Sequence, residues 1–463
     1  ITTLVAPSPA MAADIDTLIT RLQSAHRDAT STASAASYQS SMQSDGCYGD
    51  VDYADTARTS WRPSRHLSRL KALAAAYTKS GHALHQSATT LDALRRGLDC
   101  WYQKAPTSSN WWHNEIGKQL SLGPIGVLLE THLGQARKQK IINDLQSAVA
   151  SKYTGQNRVW IAQNVVLRGC LERKTTGIDA GLAAIKSTVV VSSAEGIQAD
   201  HSFHQHGPML YNAGYGLAFI SDTSRWAHYT RNTQFAFSVQ AVDILLGLLL
   251  EGDRWMVRGK MFDYSADGRE IARPGQSASA LVGAARRLAD VAPARATELE
   301  ALATHIEGKT AAPVMGNRHF WRGDLMTHHR PGYYASVKLA SNRTYGTECI
   351  NQENLKGNWL PFGLTYIARR GDEYRDIFPL WDWTHLPGVT NPATTSCPKA
   401  GYAKPSFAGG VSDGKHGVAA MALDAEQTTG KKAWFFFDNE LVALGAAISS
   451  SHGTAVTTTL NQS

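Results

Sequence analysis

Thr310-Ala311-Ala312-Pro313-Val314-Met315-Gly316 divides the chain into two parts of different character. Before it, from Asp14 to about Gly308, apolar residues recur at i, i+3 and i+4. They do so in residues 16–25, 65–79, 88–103, 115–133, 136–151, 159–172 and 286–307. That spacing places them on one face of a helix. Asp92 and the pair Asn114-Glu115 put acidic or amide groups in first turns, where the helix dipole favours them. After it, residues 333–340, 360–368, 417–423, 434–437 and 441–449 are short, alternating and rich in β-branched or aromatic side chains. Asp413-Gly414 and Asp438-Asn439 sit between such runs as hairpin turns do. An α+β protein is expected. Its helical hairpins, open or closed into a ring, precede an antiparallel β domain.

The bulk numbers agree. At 463 residues the chain exceeds one ordinary core. With 43% hydrophobic and 18% charged residues it reads as globular. Its longest apolar run, 244–250, is too short to span a bilayer, so no membrane partner is expected. The net charge of +7 favours a polyanion, either nucleic acid or an acidic polysaccharide. The basic residues are scattered rather than blocked, which argues against nucleic acid. Five widely spaced cysteines (Cys47, Cys100, Cys170, Cys349, Cys397) include no CxxC pair and argue against zinc. In an exported protein Cys47 and Cys100 are candidates for a bridge. Residues 1–12, ending Ala10-Met11-Ala12, read as the remnant of a secretory signal, with a disordered arm as the bland alternative. The expected division is therefore 1–12 signal remnant, 13–310 helical domain and 311–463 β domain. Residues 453–463 read as strand or loop without a clear finish. The β domain is then either small, continued, or completed by a further C-terminal fragment.

Four clusters carry chemistry that packing explains poorly. In Asn110-Trp111-Trp112-His113-Asn114-Glu115 two adjacent indoles cannot share one core stripe, so one is expected to be exposed as a stacking platform for a sugar. In Thr154-Gly155-Gln156-Asn157-Arg158 the asparagine is either a helix cap or a donor to a carboxylate. The stretch 200–216 holds His201, His204 and His206, then Tyr211, Asn212 and Tyr215. Three histidines suggest a metal, but Gly207-Pro208 breaks regular structure and no further ligand set follows. A His and a Tyr on one irregular loop instead offer two acid/base groups. Arg269 and Arg273, four apart, are either a solvated pair or a fork for carboxylate or sulfate.

Taken in order, these clusters resemble polysaccharide lyase family 8, the hyaluronate, chondroitin AC and xanthan lyases. The matching stretches are Asn110-Trp111-Trp112 with Glu115-Ile116-Gly117, Thr154 to Arg158, Ser202 to Pro208 with Gly214-Tyr215-Gly216, and Gly268 to Arg273. Arg330-Pro331-Gly332-Tyr333, Glu348 to Gly357, Trp381-Asp382-Trp383 with Leu386-Pro387-Gly388, Gly409-Gly410-Val411 and Lys431 to Trp434 complete the set. The likeness runs from about residue 60 onward. It implies an incomplete (α/α) toroid followed by an antiparallel β-sandwich, with Asn157, His206, Tyr215 and Arg269 as the catalytic set. Asn110, Trp111 and Trp112 would line the cleft; Arg273, Glu348 and Asn351 would support or bind substrate. Tyr211, Asn212 and His204 suggest a retuned subsite.

The chemistry so implied is β-elimination at a uronate. The C5 proton is a poor acid because its neighbouring carboxylate is already anionic, so charge moving into that carboxylate must be neutralised. Asn157, helped by His206, suits that task. Tyr215 suits proton transfer, with Arg269 expected to lower its pKa. No cofactor is required on this chemistry; a structural Ca²⁺ stays open. A secreted enzyme acting on an acidic polysaccharide follows, chondroitin or hyaluronan favoured, with alginate, xanthan or another polyuronate as alternatives. A glycoside hydrolase, needing two carboxylates across a cleft, and a non-catalytic sugar-binding protein are the rival classes.

Overall fold

The computed structural model describes residues 9–146, 149–310 and 314–462. They fall into two compact units. The first takes in the described residues up to Thr188 together with Tyr229–Ala236; the second comprises Val189–His228 and the chain from Phe237 onward.

The first unit is helical. Its elements are α1 (Pro9–Ala29), α2 (Ala35–Ser40), α3 (Ser64–Thr78), α4 (Ala88–Lys104), α5 (Gln119–Leu128), α6 (Gln135–Gln146), α7 (Gly155–Glu172) and α8 (Thr175–Lys186). Helix α1 buries Ile15, Leu18, Ile19 and Leu22, the i, i+3, i+4, i+7 stripe that its sequence spells out. Ser87 caps α4 by accepting from the Thr90 amide at 3.4 Å. Helices α7 and α8 approach so closely that a Cβ on Gly169 would lie 2.5 Å from the Ile178 backbone nitrogen. Two sequence expectations change here. Residues 115–133 form no single helix: a π-turn (His113–Gly117) leads into α5, which carries Pro124 inside it. Residues 9–12, expected to end a signal remnant, are the first turn of α1, whereas residues 1–8 lie outside the described residues. So do 147–148, within the expected helix 136–151, and 311–313, at the expected domain boundary.

The second unit combines α9 (Leu217–Thr230, for most of its length), α10 (Val239–Gly247), α11 (Ala280–Val291) and α12 (Ala296–Ile306) with antiparallel strands. Three short pairs are β1 (Gly196–Ile197) with β2 (Phe203–His204), β3 (Val257–Arg258) with β4 (Met261–Phe262), and β9 (Thr390–Pro392) with β14 (Val456–Thr458). Strands β5 (Gly316–Phe320), β6 (Leu325–His329), β7 (Tyr334–Lys338) and β8 (Leu364–Ala368) form one sheet in that order. Strands β10 (Ala408–Ser412), β11 (Gly417–Ala425), β12 (Thr428–Phe436) and β13 (Leu441–Ser450) form a second. Asp413 makes the β10–β11 turn by accepting from the Lys415 and His416 amides at 2.7 and 2.6 Å, with Gly414 at φ +87°.

A core of Met326, Ala335 and Val337 against Ala419, Met421, Trp434 and Phe436 joins the two sheets. The opposite face of β7 and β8 packs Tyr334, Leu364 and Tyr366 on Tyr264, Trp359 and Trp381. Burial on both faces explains why β5 and β6 escaped the alternation reading. Strand β6 is buried throughout, and its His328 and His329 each donate from Nε2 to a backbone carbonyl, of Phe437 at 2.8 Å and Trp255 at 3.0 Å. Strand β13 is exposed along nearly its whole length.

Cys47–Cys100 and Cys349–Cys397 are disulfides, and Cys170 is a buried thiol. Among the described residues no helix is long and apolar enough to cross a membrane.

Candidate active site

The irregular stretch 200–216 becomes a loop pinned at both ends. Phe203 and Asn212 face one another: the Tyr211 amide donates to Phe203 O at 2.8 Å, and the Phe203 amide donates to Asn212 Oδ1 at 2.8 Å. Between them His206 adopts φ +58°, a left-handed conformation that costs an L-residue free energy and turns its ring out of the strand line. Just beyond, the π-turn Asn212–Gly216 presents Tyr215. The His206 and Tyr215 rings lie with centroids 4.9 Å apart.

Beneath them sits Glu348, 1% exposed. Its carboxylate accepts from His206 Nδ1 at 2.8 and 2.9 Å, from the Tyr211 hydroxyl at 3.2 Å, and from the Arg269 guanidinium. Burial would push this carboxyl up, but His206 and Arg269 outweigh it and hold it below the usual range. With a carboxylate on Nδ1, a neutral imidazole carries its proton there and leaves Nε2 with a lone pair. Arg269, also buried, reaches Tyr215 Oη at 3.3 Å through Nη2 and Glu353 at 2.8 Å through Nε. Arg273 shares Glu353 at 2.6 Å and pairs with Glu270 at 3.0 Å. Gly268 makes this packing feasible: at φ +57°, a Cβ there would stand 2.3 Å from Tyr211 Cζ.

Arg269 lies where the sequence argument wanted it, but its effect on Tyr215 is smaller than expected. Burial is the first influence and raises the phenol's pKa; Arg269 opposes it without prevailing. The expected subsite residues His204, Tyr211 and Asn212 are also buried. His204 is on β2, 1% exposed, with Nε2 sharing a proton with Arg322 O at 3.1 Å, and burial pushes it down to about 4. Tyr211 and Asn212 are covered likewise, so all three pack within the loop, with Glu348 buried beneath as a support. Asn351 is half-buried at φ +59°. Glu353, which clamps both arginines, was missed; its signal was a second acid five residues after Glu348.

The remaining candidates belong to the first unit. Asn157 lies in the first turn of α7, whose cap position is Thr154, so the cap reading fails. Its side chain is buried, and its Oδ1 has no hydrogen-bond partner among the described residues. Trp111 is 40% exposed and stacks on Tyr153 with centroids 4.8 Å apart and planes 11° from parallel. Glu115 fixes that partner, accepting from Tyr153 Oη at 2.6 Å and Lys152 Nζ at 2.8 Å. Trp112 is half-buried, edge-on to Trp160. The expected split between a covered and an exposed indole is therefore present. Asn110 spends its amide locally, donating to Arg58 O at 3.1 Å and accepting from the Trp112 amide at 3.1 Å. It orients the indoles. Among the described residues no group of three or more His, Cys, Asp or Glu could hold a metal ion.

Comparison with known proteins gives two family matches. Residues 9–307 match the N-terminal alpha-helical domain of polysaccharide lyase family 8, and residues 315–463 match that family's super-sandwich domain. Chondroitinase-AC of Pedobacter heparinus is 34% identical over 439 residues, covering 91% of this chain and 62% of its own length. Xanthan lyase of Bacillus sp. (strain GL1) is 26% identical over 441 residues, covering 85% of this chain and 47% of its own. The chain thus spans less than two thirds of these relatives. A solved structure of chondroitinase AC lyase, studied in oligosaccharide complexes, matches with a TM-score of 0.92 at 32% identity, over 97% of this chain and 69% of that one.

Proposed function

The chain belongs to polysaccharide lyase family 8, and on that premise we propose that it cleaves a uronate-containing polysaccharide by β-elimination, chondroitin or hyaluronan being the favoured class. The observation that carries this is the Tyr215–Arg269–Glu348–His206 cluster: two proton-transfer groups side by side, with a buried charge network to hold them.

In this reading the Tyr215 phenolate takes the C5 proton. The C5–H electrons form the C4=C5 double bond, the C4–O4 bond breaks, and Tyr215 returns the proton to O4. The phenolate forms only in the company of Arg269, whose Nη2 lies 3.3 Å from the oxygen. Asn157 meets the uronate carboxylate by donating from its Nδ2 amide. Arg273, 42% exposed at its side chain, is the natural contact for a carboxylate or sulfate. The exposed indole of Trp111 stacks on a sugar ring. No resident metal is needed, since Asn157 and Arg269 supply the stabilisation.

The His206–Glu348 pairing favours a second route for sugars of opposite C5 configuration. There His206 Nε2 takes the proton and neutral Tyr215 returns one to O4. Two disulfides support export, because such bonds persist in oxidising compartments.

Incubating the protein separately with chondroitin sulfate, hyaluronan, alginate and xanthan tests the proposal. A lyase releases unsaturated uronates that absorb in the ultraviolet, most strongly from the first two polymers on this account. Depolymerisation with new reducing ends but no absorbance would make it a hydrolase.

A further inference from the structure

Among the buried carboxylates that the mechanism leaves unused, Asp253 is the one hydrogen-bonded to the loop of His206 and Tyr215. Asp253 has 0% exposure; its Oδ1 accepts from Asn212 Nδ2 at 2.8 Å, and its Oδ2 has no hydrogen-bond partner among the described residues. The charged groups around it are engaged with one another. Glu251 pairs with Arg254 at 3.4 Å and Arg318 at 2.8 Å, and Arg254 also meets Glu298 at 4.0 Å. His201, whose carbonyl crowds Gly252, is held below its usual pKa by burial and then by Arg318. Burial, opposed by the Asn212 hydrogen bond, pushes Asp253 up to about 8, so near neutrality it is mostly an uncharged acceptor.

Asn212 transmits that anchor. One end of its carboxamide donates to Asp253; the other accepts from the Phe203 amide at 2.8 Å. The second bond closes the loop that holds His206, and the residue itself opens the π-turn that holds Tyr215. A side chain here must accept at one end and donate at the other, because both residues are fully buried.

We propose that Asn212, locked by Asp253, is a positioning residue that sets the spacing of His206 and Tyr215. This rests on the reading of those two side chains as the reacting pair. A misplacement of about 1 Å at such a pair costs on the order of 100-fold in rate.

The test uses the full chain carrying Asn212→Asp, and the exchange variant Asn212→Asp/Asp253→Asn. The single variant sets two carboxyls face to face. They share a proton at low pH and repel once both ionise. The exchange restores an acceptor at 212 and a donor at 253. Expected in the single variant is a kcat loss on the order of 100-fold with KM changed less than about threefold, deepening as pH rises. The exchange variant regains most of kcat. Should the single variant be too unstable to assay, the exchange variant decides by itself, since it must fold and turn over. An exchange variant that folds like wild type yet stays as slow as the single variant would overturn the proposal. So would a single variant with wild-type kcat and pH profile. Hydrogen exchange at the Phe203 amide reads the anchor without substrate: slow in wild type, fast in the single variant, slow again in the exchange. Equal rates in all three would overturn it too. A wild-type protein that yields no unsaturated product from any polymer strikes at the lyase reading instead, and the amide measurement still judges the anchor.

Discussion

Replacing Glu348 by Gln tests the charge network with little change of shape. The carboxylate is 1% exposed and the Arg269 side chain 5%, so solvent screens neither. Removing one partner of a buried pair typically costs 3–5 kcal/mol, mostly from the charge left uncompensated. Arg269 still keeps Glu353 at 2.8 Å, and the Gln oxygen still accepts one bond. The expected loss is therefore at the low end, about 3 kcal/mol. The effect on turnover has a separate cause. Gln can donate as well as accept, so it no longer forces the His206 proton onto Nδ1, and Nε2 loses its lone pair in part of the population. The loss of turnover follows the fraction in the wrong tautomer, and reaches on the order of 10² to 10⁴ only where the oriented group is lost from the whole population. Urea unfolding gives the first quantity and the ultraviolet assay the second. A Glu348→Gln variant within about 0.5 kcal/mol of wild type and within about threefold of its kcat would refute the reasoning.

Reducing Cys349–Cys397 frees the neighbour of Glu348 and a loop with a sequence separation of 48 residues. The chain-entropy model puts that at about 4 kcal/mol. A Cys349→Ser/Cys397→Ser variant should melt lower and turn over more slowly; an unchanged melting temperature would contradict this. Stability should also peak at intermediate pH. Glu348 and Glu353 have folded pKa values below the ordinary carboxylate range. Their contribution is full above about pH 4.3 and is lost as pH falls through the folded values. Asp253 runs the other way: raised to about 8, it costs stability progressively as pH climbs from about 4 towards that value. Urea midpoints measured from acid to alkaline pH should rise and then fall, and a flat profile would refute both assignments.

Much of this was legible in the sequence. The α1 stripe of Ile15, Leu18 and Leu22, and the Asp413-Gly414 turn, carry local signals that tertiary packing did not overrule. His206, Tyr215 and Arg269 could be brought to one place because their types and order are distinctive. What was hidden depended on burial. Strand β6 is covered on both faces and β5 over most of its length, so their Asn, Thr and His residues masked the period. His204 and Tyr211 read as cleft residues because polarity in a sequence does not say which side chains find a buried partner. The raised pKa of Tyr215 was invisible for a related reason: Arg269 can be placed by motif, whereas the desolvation that outweighs it belongs to the packed loop. Asn212 stood out as a subsite candidate, but its pairing with Asp253, 41 positions away, carried no local signal.

The central claim is that Tyr215 moves the proton. Tyr215→Phe keeps the ring against His206 and removes the oxygen that Arg269 faces. Its kcat for ultraviolet-absorbing product should fall by about 10² to 10⁴, with polymer binding preserved. A Tyr215→Phe protein that retains wild-type turnover would contradict the account.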